Sequence, residues 1–243
     1  MVLIIGDSHA RVIALGQDEL PASSPARDYD VRMLGIGRTF LRKFYTVGED
    51  GVSLSSERRR DILRGAIGTD VIDQSVGDIF LSLGFHGIYF YNSSTWRNFR
   101  IVEREDDRSF ISQSAFSLMV MRFNYHILAF ISALKRAGLK PVVIAAPALP
   151  RSFIDNPRVG GVTPDELVAL DAAYRDVMAS ILRKRRVPVI LPPEGTSEDG
   201  CLKEEYRRST EVHEYHGDAS YGALVLAQVE AFLHEQAATA AAA

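Results

Sequence analysis

Apolar positions along this chain follow two alternating patterns. Short, β-rich runs recur at Val2-Leu3-Ile4-Ile5, Val31 to Ile36, Ile79-Phe80-Leu81-Ser82-Leu83-Gly84, Pro141 to Pro147 and Val187 to Leu191. They are too short for helices, and glycine or proline closes most of them, so each predicts a buried strand. Between them lie segments with a helical period. The clearest is Ser112 to Ala137, where Phe116, Val120, Phe123, Ile127, Phe130 and Leu134 recur every three or four residues and Gly138 supplies the stop. Thr163-Pro164-Asp165-Glu166 gives a cap, a first-turn proline and two acids for a helix reaching Arg186. Shorter helices are expected over Ala10 to Gln17 and Ser56 to Ala66, and a last one over Gly217 to Gln236 with Tyr221, Val225, Val229 and Phe232 on one face. Five strands alternating with helices predict a parallel sheet covered on both sides, a three-layer, doubly wound α/β/α domain.

The remaining stretches read as connections. Leu20 to Tyr29 is rich in proline, serine and alanine, and Arg42 to Ser55 has no clear period. Arg58, Arg59 and Arg60 are read most simply as a solvated helix face. Phe85 to Arg100 gathers Tyr89, Phe90, Tyr91, Trp96 and Phe99, and continues as a hairpin-like insertion over 85–111. Those aromatics either floor a ligand pocket or form a small core of their own. The expected organisation is one domain over 1–236, followed by a disordered alanine-rich tail over 237–243.

Composition narrows the function classes. With 243 residues and 47% hydrophobic content the chain has ample material for one sizeable core. A net charge of −3 offers no broad attraction to nucleic acid or to anionic membrane. No apolar run approaches the ~20 residues needed to span a bilayer. A lone cysteine, Cys201, cannot form an internal disulfide. A cytoplasmic location is the resulting expectation, and the oligomeric state is not legible.

The candidate chemistry begins at the first strand. Gly6 ends the run, and Asp7 and Ser8 are both good helix N-caps. A strand that stops in a turn opening a helix lifts its turn side chain to the C-terminal sheet edge, where open α/β sheets bind ligands. Ser8 is therefore either a cap or a nucleophile. A nucleophile needs a base and an oxyanion hole. His216, just before the last helix, is the candidate base, and donors can come from Gly37 and from the turn Gly84-Phe85-His86.

Taken together, Gly6-Asp7-Ser8 on the first strand, a glycine turn after the second, Gly84-x-His86 after the third and His216-Gly217-Asp218 before the last helix resemble the SGNH/GDSL hydrolase superfamily, in order and over nearly the whole chain. The resemblance implies a flavodoxin-like sheet of order 2-1-3-4-5 and hydrolysis of esters of lipids, carbohydrates or small acyl compounds. It implies Ser8 as nucleophile, His216 as general base, and the Ser8 and Gly37 amides as oxyanion donors, with Gly35 as the fallback. Two positions depart from the family pattern. His86 stands where an asparagine usually donates to the oxyanion, and His213 stands where an aspartate usually orients the histidine, leaving Glu211 and Glu214 as substitutes. No metal or organic cofactor is implied, since the histidines lack the spacing of a zinc site. The expected activity is hydrolysis of an O-acyl ester, acetyl being the family analogy, of a carbohydrate or small molecule. The rival expectations are a catalytically impaired domain that binds a glycan or acylated ligand, and a flavodoxin-like nucleotide binder. The second lacks any Gly-x-Gly-x-x-Gly or phosphate loop after the first strand.

Overall fold

The computed structural model describes residues 1–103, 106–158, 161–209 and 215–241. The central sheet has five strands: β1 (Val2–Gly6), β2 (Asp30–Met33), β3 (Asp78–Ser82), β4 (Val142–Ile144) and β5 (Val189–Ile190). Their order is 2-1-3-4-5 and every pairing is parallel. Ile4 lies opposite both Val31 and Phe80, which places β1 between β2 and β3.

Among the described residues six longer helices cover the sheet: α1 (Ser8–Gly16), α2 (Glu57–Ile67), α3 (Gln113–Phe123), α4 (Tyr125–Arg136), α5 (Pro164–Lys184) and α6 (Ala219–Ala241). Alternation along β1 divides them into two layers. Ile4 packs with Val12 and Ile13 of α1 and Val225, Leu226 and Val229 of α6, whereas Leu3 and Ile5 face α2 to α5 through Leu63, Val120, Phe130 and Met178. The three-layer, doubly wound fold expected from the pattern is the fold observed.

Four local expectations are corrected. The helix expected over Ser112 to Ala137 is two helices meeting at Asn124 with a bend of 67°. Asn124 bonds the Val120 carbonyl through Nδ2 at 3.0 Å and the Tyr174 hydroxyl at 2.8 Å, so a side chain on α5 holds the break. Arg42 to Ser55 is regular after all. Tyr45–Val47, Val52–Leu54 and Val71–Ile72 form a three-stranded antiparallel sheet, whose strands are too short to show a period of two. The insertion is not a hairpin: Phe99–Arg100 and Ser109–Phe110 pair in parallel. Finally, residues 237–241 continue α6 rather than forming a disordered tail, as suits the strongest helix former, alanine.

The arginines of α2 do more than face solvent. Arg59 Nε donates to the Leu34 carbonyl at 2.9 Å and Arg60 Nη1 to the Leu54 carbonyl at 3.1 Å, tying α2 to the end of β2 and to the small sheet. Phe90, Tyr91 and Trp96 are buried, and the Phe90 ring packs on Trp96, Phe116, Phe123 and Tyr174. The aromatics therefore extend the main core; of the five, Tyr89 reaches the ring of His86.

Candidate active site

The site forms where β1, β2 and β3 end. Gly6 is dictated by its neighbour, since a Cβ there would lie 2.5 Å from the carbonyl oxygen of Ser82 on β3. The chain then turns directly into α1, and the cap is Asp7: its Oδ1 accepts from the His9 amide at 2.9 Å, while its carbonyl accepts from the Ala10 amide at 3.1 Å. This settles the two readings of Ser8 as far as the cap is concerned. Ser8 is the first residue of the helix, and its hydroxyl points elsewhere.

It points to His216. The distance from Ser8 Oγ to His216 Nε2 is 2.7 Å, within the range of a nucleophile–base hydrogen bond. Two features hold this pair. A short antiparallel bridge between Arg207 and Gly217 fixes the backbone at His216, with the Arg208 amide donating to the His216 carbonyl at 3.3 Å and the Asp218 amide to the Tyr206 carbonyl at 2.8 Å. Beneath it, α1 and α6 touch backbone to backbone: a Cβ on Gly16 would lie 2.2 Å from the Ala223 nitrogen, and one on Gly222 would lie 2.1 Å from the Val12 carbonyl oxygen. The helix that carries Ser8 and the helix that follows His216 are thus locked together.

Gly37 and His86 meet each other as well. A Cβ at Gly37 would lie 2.8 Å from His86 Nδ1, so the β2 turn runs against the imidazole. Gly35, the fallback, packs on Thr39 instead. The His86 loop is set by Gly84, whose φ of 91° favours glycine. The Gly84 carbonyl accepts from the Tyr174 hydroxyl at 3.1 Å, and that hydroxyl in turn accepts from Asn124. His213, Glu211 and Glu214 lie outside the described residues.

Sequence reasoning missed His9 and Tyr215. The His9 ring is buried and contacts the rings of His86 and His216, with centroids 4.7 and 4.8 Å away. Burial first, then the proximity of His86, His216 and Arg175, holds His9 well below the usual histidine range, so it is neutral at neutral pH. The signal was its spacing: His9 and the buried Ile13 are four apart on α1, so both face inward. Tyr215 covers the cluster, with its ring on His216 at 4.6 Å and on His86 at 4.8 Å.

A polar network centred on the buried Asp171 lies near the end of β4. Arg175 Nε donates to Asp171 at 2.7 Å, Nη1 donates to the Ala146 carbonyl at 2.8 Å, and Nη2 reaches the Pro147 carbonyl. The Tyr91 hydroxyl donates to the other Asp171 oxygen at 2.6 Å; burial and this carboxylate push the phenol well above its ordinary value.

No protein-family model matches this chain, and no curated protein matches it. Among solved structures it aligns with a GDSL-like lipase from Bacteroides thetaiotaomicron at 11% identity and a TM-score of 0.48, over 97% of this chain and 88% of that one. It also aligns with an acetyl xylan esterase at 12% identity and a TM-score of 0.46, over 95% of this chain and 98% of that one.

Proposed function

We propose that this chain is a serine ester hydrolase of the SGNH/GDSL type, acting on an O-acyl ester, an acetyl ester foremost, of a carbohydrate or small molecule. The observation that carries the reading is the 2.7 Å approach of Ser8 Oγ to His216 Nε2 at the C-terminal edge of the sheet. Ser8 Oγ attacks the acyl carbonyl while His216 Nε2 takes its proton, giving a tetrahedral oxyanion. The Ser8 and Gly37 amides and an N–H of His86 are the donors for that charge. His216 then protonates the departing alcohol, leaving an acyl-Ser8, and a water activated by His216 releases the acid. Such a reaction needs a small ester and neither nucleic acid nor membrane as partner. A reducing, cytoplasmic setting suits the lone buried Cys201. No single helix among the described residues is long and apolar enough to cross a membrane.

The rival reading, an impaired domain that binds an acylated ligand or glycan, draws on His213 standing where a carboxylate would stabilise the His216 imidazolium. One experiment separates them. Short-chain p-nitrophenyl esters and acetylated sugars are offered to wild type, Ser8→Ala and His216→Ala across a pH range. Hydrolysis by wild type, lost in both variants, supports the esterase. Equal inertness of all three, with binding of an acetylated sugar retained, supports the rival and removes the esterase.

A further inference from the structure

The histidines lack a zinc-site spacing along the sequence, yet the fold assembles a cluster of ligand-type side chains. Asp7 and His9 flank Ser8 at the end of β1, and His86 arrives from the loop after β3. One ligand atom from each of the three lies within 4.8 Å of the other two. All three side chains are buried: Asp7 and His9 are 3% and 4% exposed, and the His86 side chain is 6% exposed. Among the described residues, no protein group hydrogen-bonds any of the four ring nitrogens of His9 and His86. Buried imidazole nitrogens ordinarily have partners, so two such rings side by side call for an explanation.

The geometry points to a divalent transition-metal site, zinc foremost, built from Asp7, His9 and His86 beside Ser8. Three observations converge on it. The distance from Asp7 Oδ2 to His86 Nδ1 is 3.6 Å. That is long for a hydrogen bond and close to the roughly 3.4 Å that separates two ligands on a tetrahedral ion with bonds of about 2.0–2.1 Å. The His9 amide holds Asp7 through Oδ1, leaving Oδ2 as the oxygen turned to the cluster, and so supplies the outer support that orients metal carboxylates. The rings of His9 and His86 stand at 88° with centroids 4.7 Å apart, an edge-on approach in which nitrogen lone pairs can converge without the rings stacking. Two imidazoles and one carboxylate suit zinc and its neighbours rather than calcium or magnesium, and they leave a coordination position open. Ligation through one nitrogen would also fix the remaining proton of His86 on the other, keeping that ring a donor.

The inference does not depend on hydrolysis, and the test is run on untagged Ser8→Ala protein as well as wild type. After chelator treatment, each is titrated with Zn²⁺ by calorimetry and with Co²⁺ by visible absorption, and metal content is measured after dialysis. The expected result is one ion per chain with a low-symmetry Co²⁺ spectrum in both proteins. His9→Gln and His86→Gln are expected to lose binding by about 100-fold or more, while His126→Gln, on α4, binds as wild type does. Absence of stoichiometric binding in folded wild type, judged by circular dichroism, overturns the site. So does full binding by folded His9→Gln or His86→Gln. Should a variant fail to fold, the wild-type titration alone decides.

Discussion

Gly222→Ala is the substitution that tests how the site is held. A methyl group there would meet the Val12 carbonyl oxygen at 2.1 Å, its carbon at 2.9 Å and Gly16 Cα at 3.2 Å. Ordinary contact begins near about 3.5 Å, so α1 and α6 must part by roughly an ångström. Two effects oppose one another. Alanine gains up to about 1 kcal/mol over glycine within a helix, while overpacking against backbone costs about 1–3 kcal/mol. Overpacking wins here, because the atoms struck are main-chain atoms and cannot rotate away. The expected net loss is about 1–2 kcal/mol, which for a chain of this size lowers Tm by roughly 2–8 °C. The catalytic effect is larger. Parting the helices stretches the 2.7 Å Ser8–His216 contact, and an ångström of misplacement costs about 100-fold in turnover. Gly65→Ala is the control: it lies within α2 with nothing inside 4 Å of its Cβ, so it is expected to stabilise by up to about 1 kcal/mol. Urea denaturation and ester kinetics on both variants supply the answer. If Gly222→Ala is as stable as Gly65→Ala and turns over at the wild-type rate, the helix contact does not set the catalytic distance.

Three further perturbations probe other supports. Asp171→Ala leaves the half-buried Arg175 guanidinium with carbonyl partners and no carboxylate, and should destabilise by about 1.5–3 kcal/mol in urea denaturation; Asp171→Asn should lose less. Asn124→Ala removes the side-chain donor to Tyr174 at the α3–α4 bend and should cost about 1–3 kcal/mol, measured the same way, with a smaller fall in activity because Tyr174 still reaches the Gly84 carbonyl. Gly37→Ala places a methyl 2.8 Å from His86 Nδ1. If Gly37 and His86 serve the oxyanion together, kcat should fall by about 10²–10³ with KM little changed, and adding His86→Ala should cost little more; independent, multiplying losses would separate the two residues.

The sheet was legible because its strands are buried on both faces and so announce themselves as apolar runs; Ile4 and Phe80 need no long-range information to be read as core. What stayed hidden depends on distant partners. The bend at Asn124 is held by Tyr174, fifty residues away, and the apolar face of Ser112 to Ala137 looks the same whether or not the helix is broken. The small sheet of Tyr45 to Ile72 was hidden by strands of two or three residues. The meeting of Ser8 and His216 was readable through their place at strand and helix ends. His9 was passed over as an ordinary helix residue because its meaning comes from His86, which another strand delivers. Gly16 and Gly222 look like weak points in two helices until the helices are seen to cross there.

The order Asp7-Ser8-His9 follows from what a helix N-terminus offers. The first amides of a helix have no intrahelical acceptor. Here the His9 amide is taken by the Asp7 carboxylate and the Ala10 amide by the Asp7 carbonyl. The amide in between, on Ser8, takes no part in either bond, and it lies where the helix dipole favours negative charge. A cap at position 8 would have drawn the serine hydroxyl back to the first turn and away from His216. With the cap one residue earlier, the same turn supplies a hydroxyl for attack and an amide for the resulting charge. Asp7→Asn separates capping from charge, since asparagine caps about as well as aspartate. The variant should keep its fold and the Ser8–His216 contact, but the carboxylate beside His86, 3.6 Å from Nδ1, is gone. If that carboxylate also supports the His86 side chain, ester turnover falls while the unfolding free energy in urea stays within about 1 kcal/mol of wild type. Unchanged turnover would mean that Asp7 contributes to hydrolysis only as the cap.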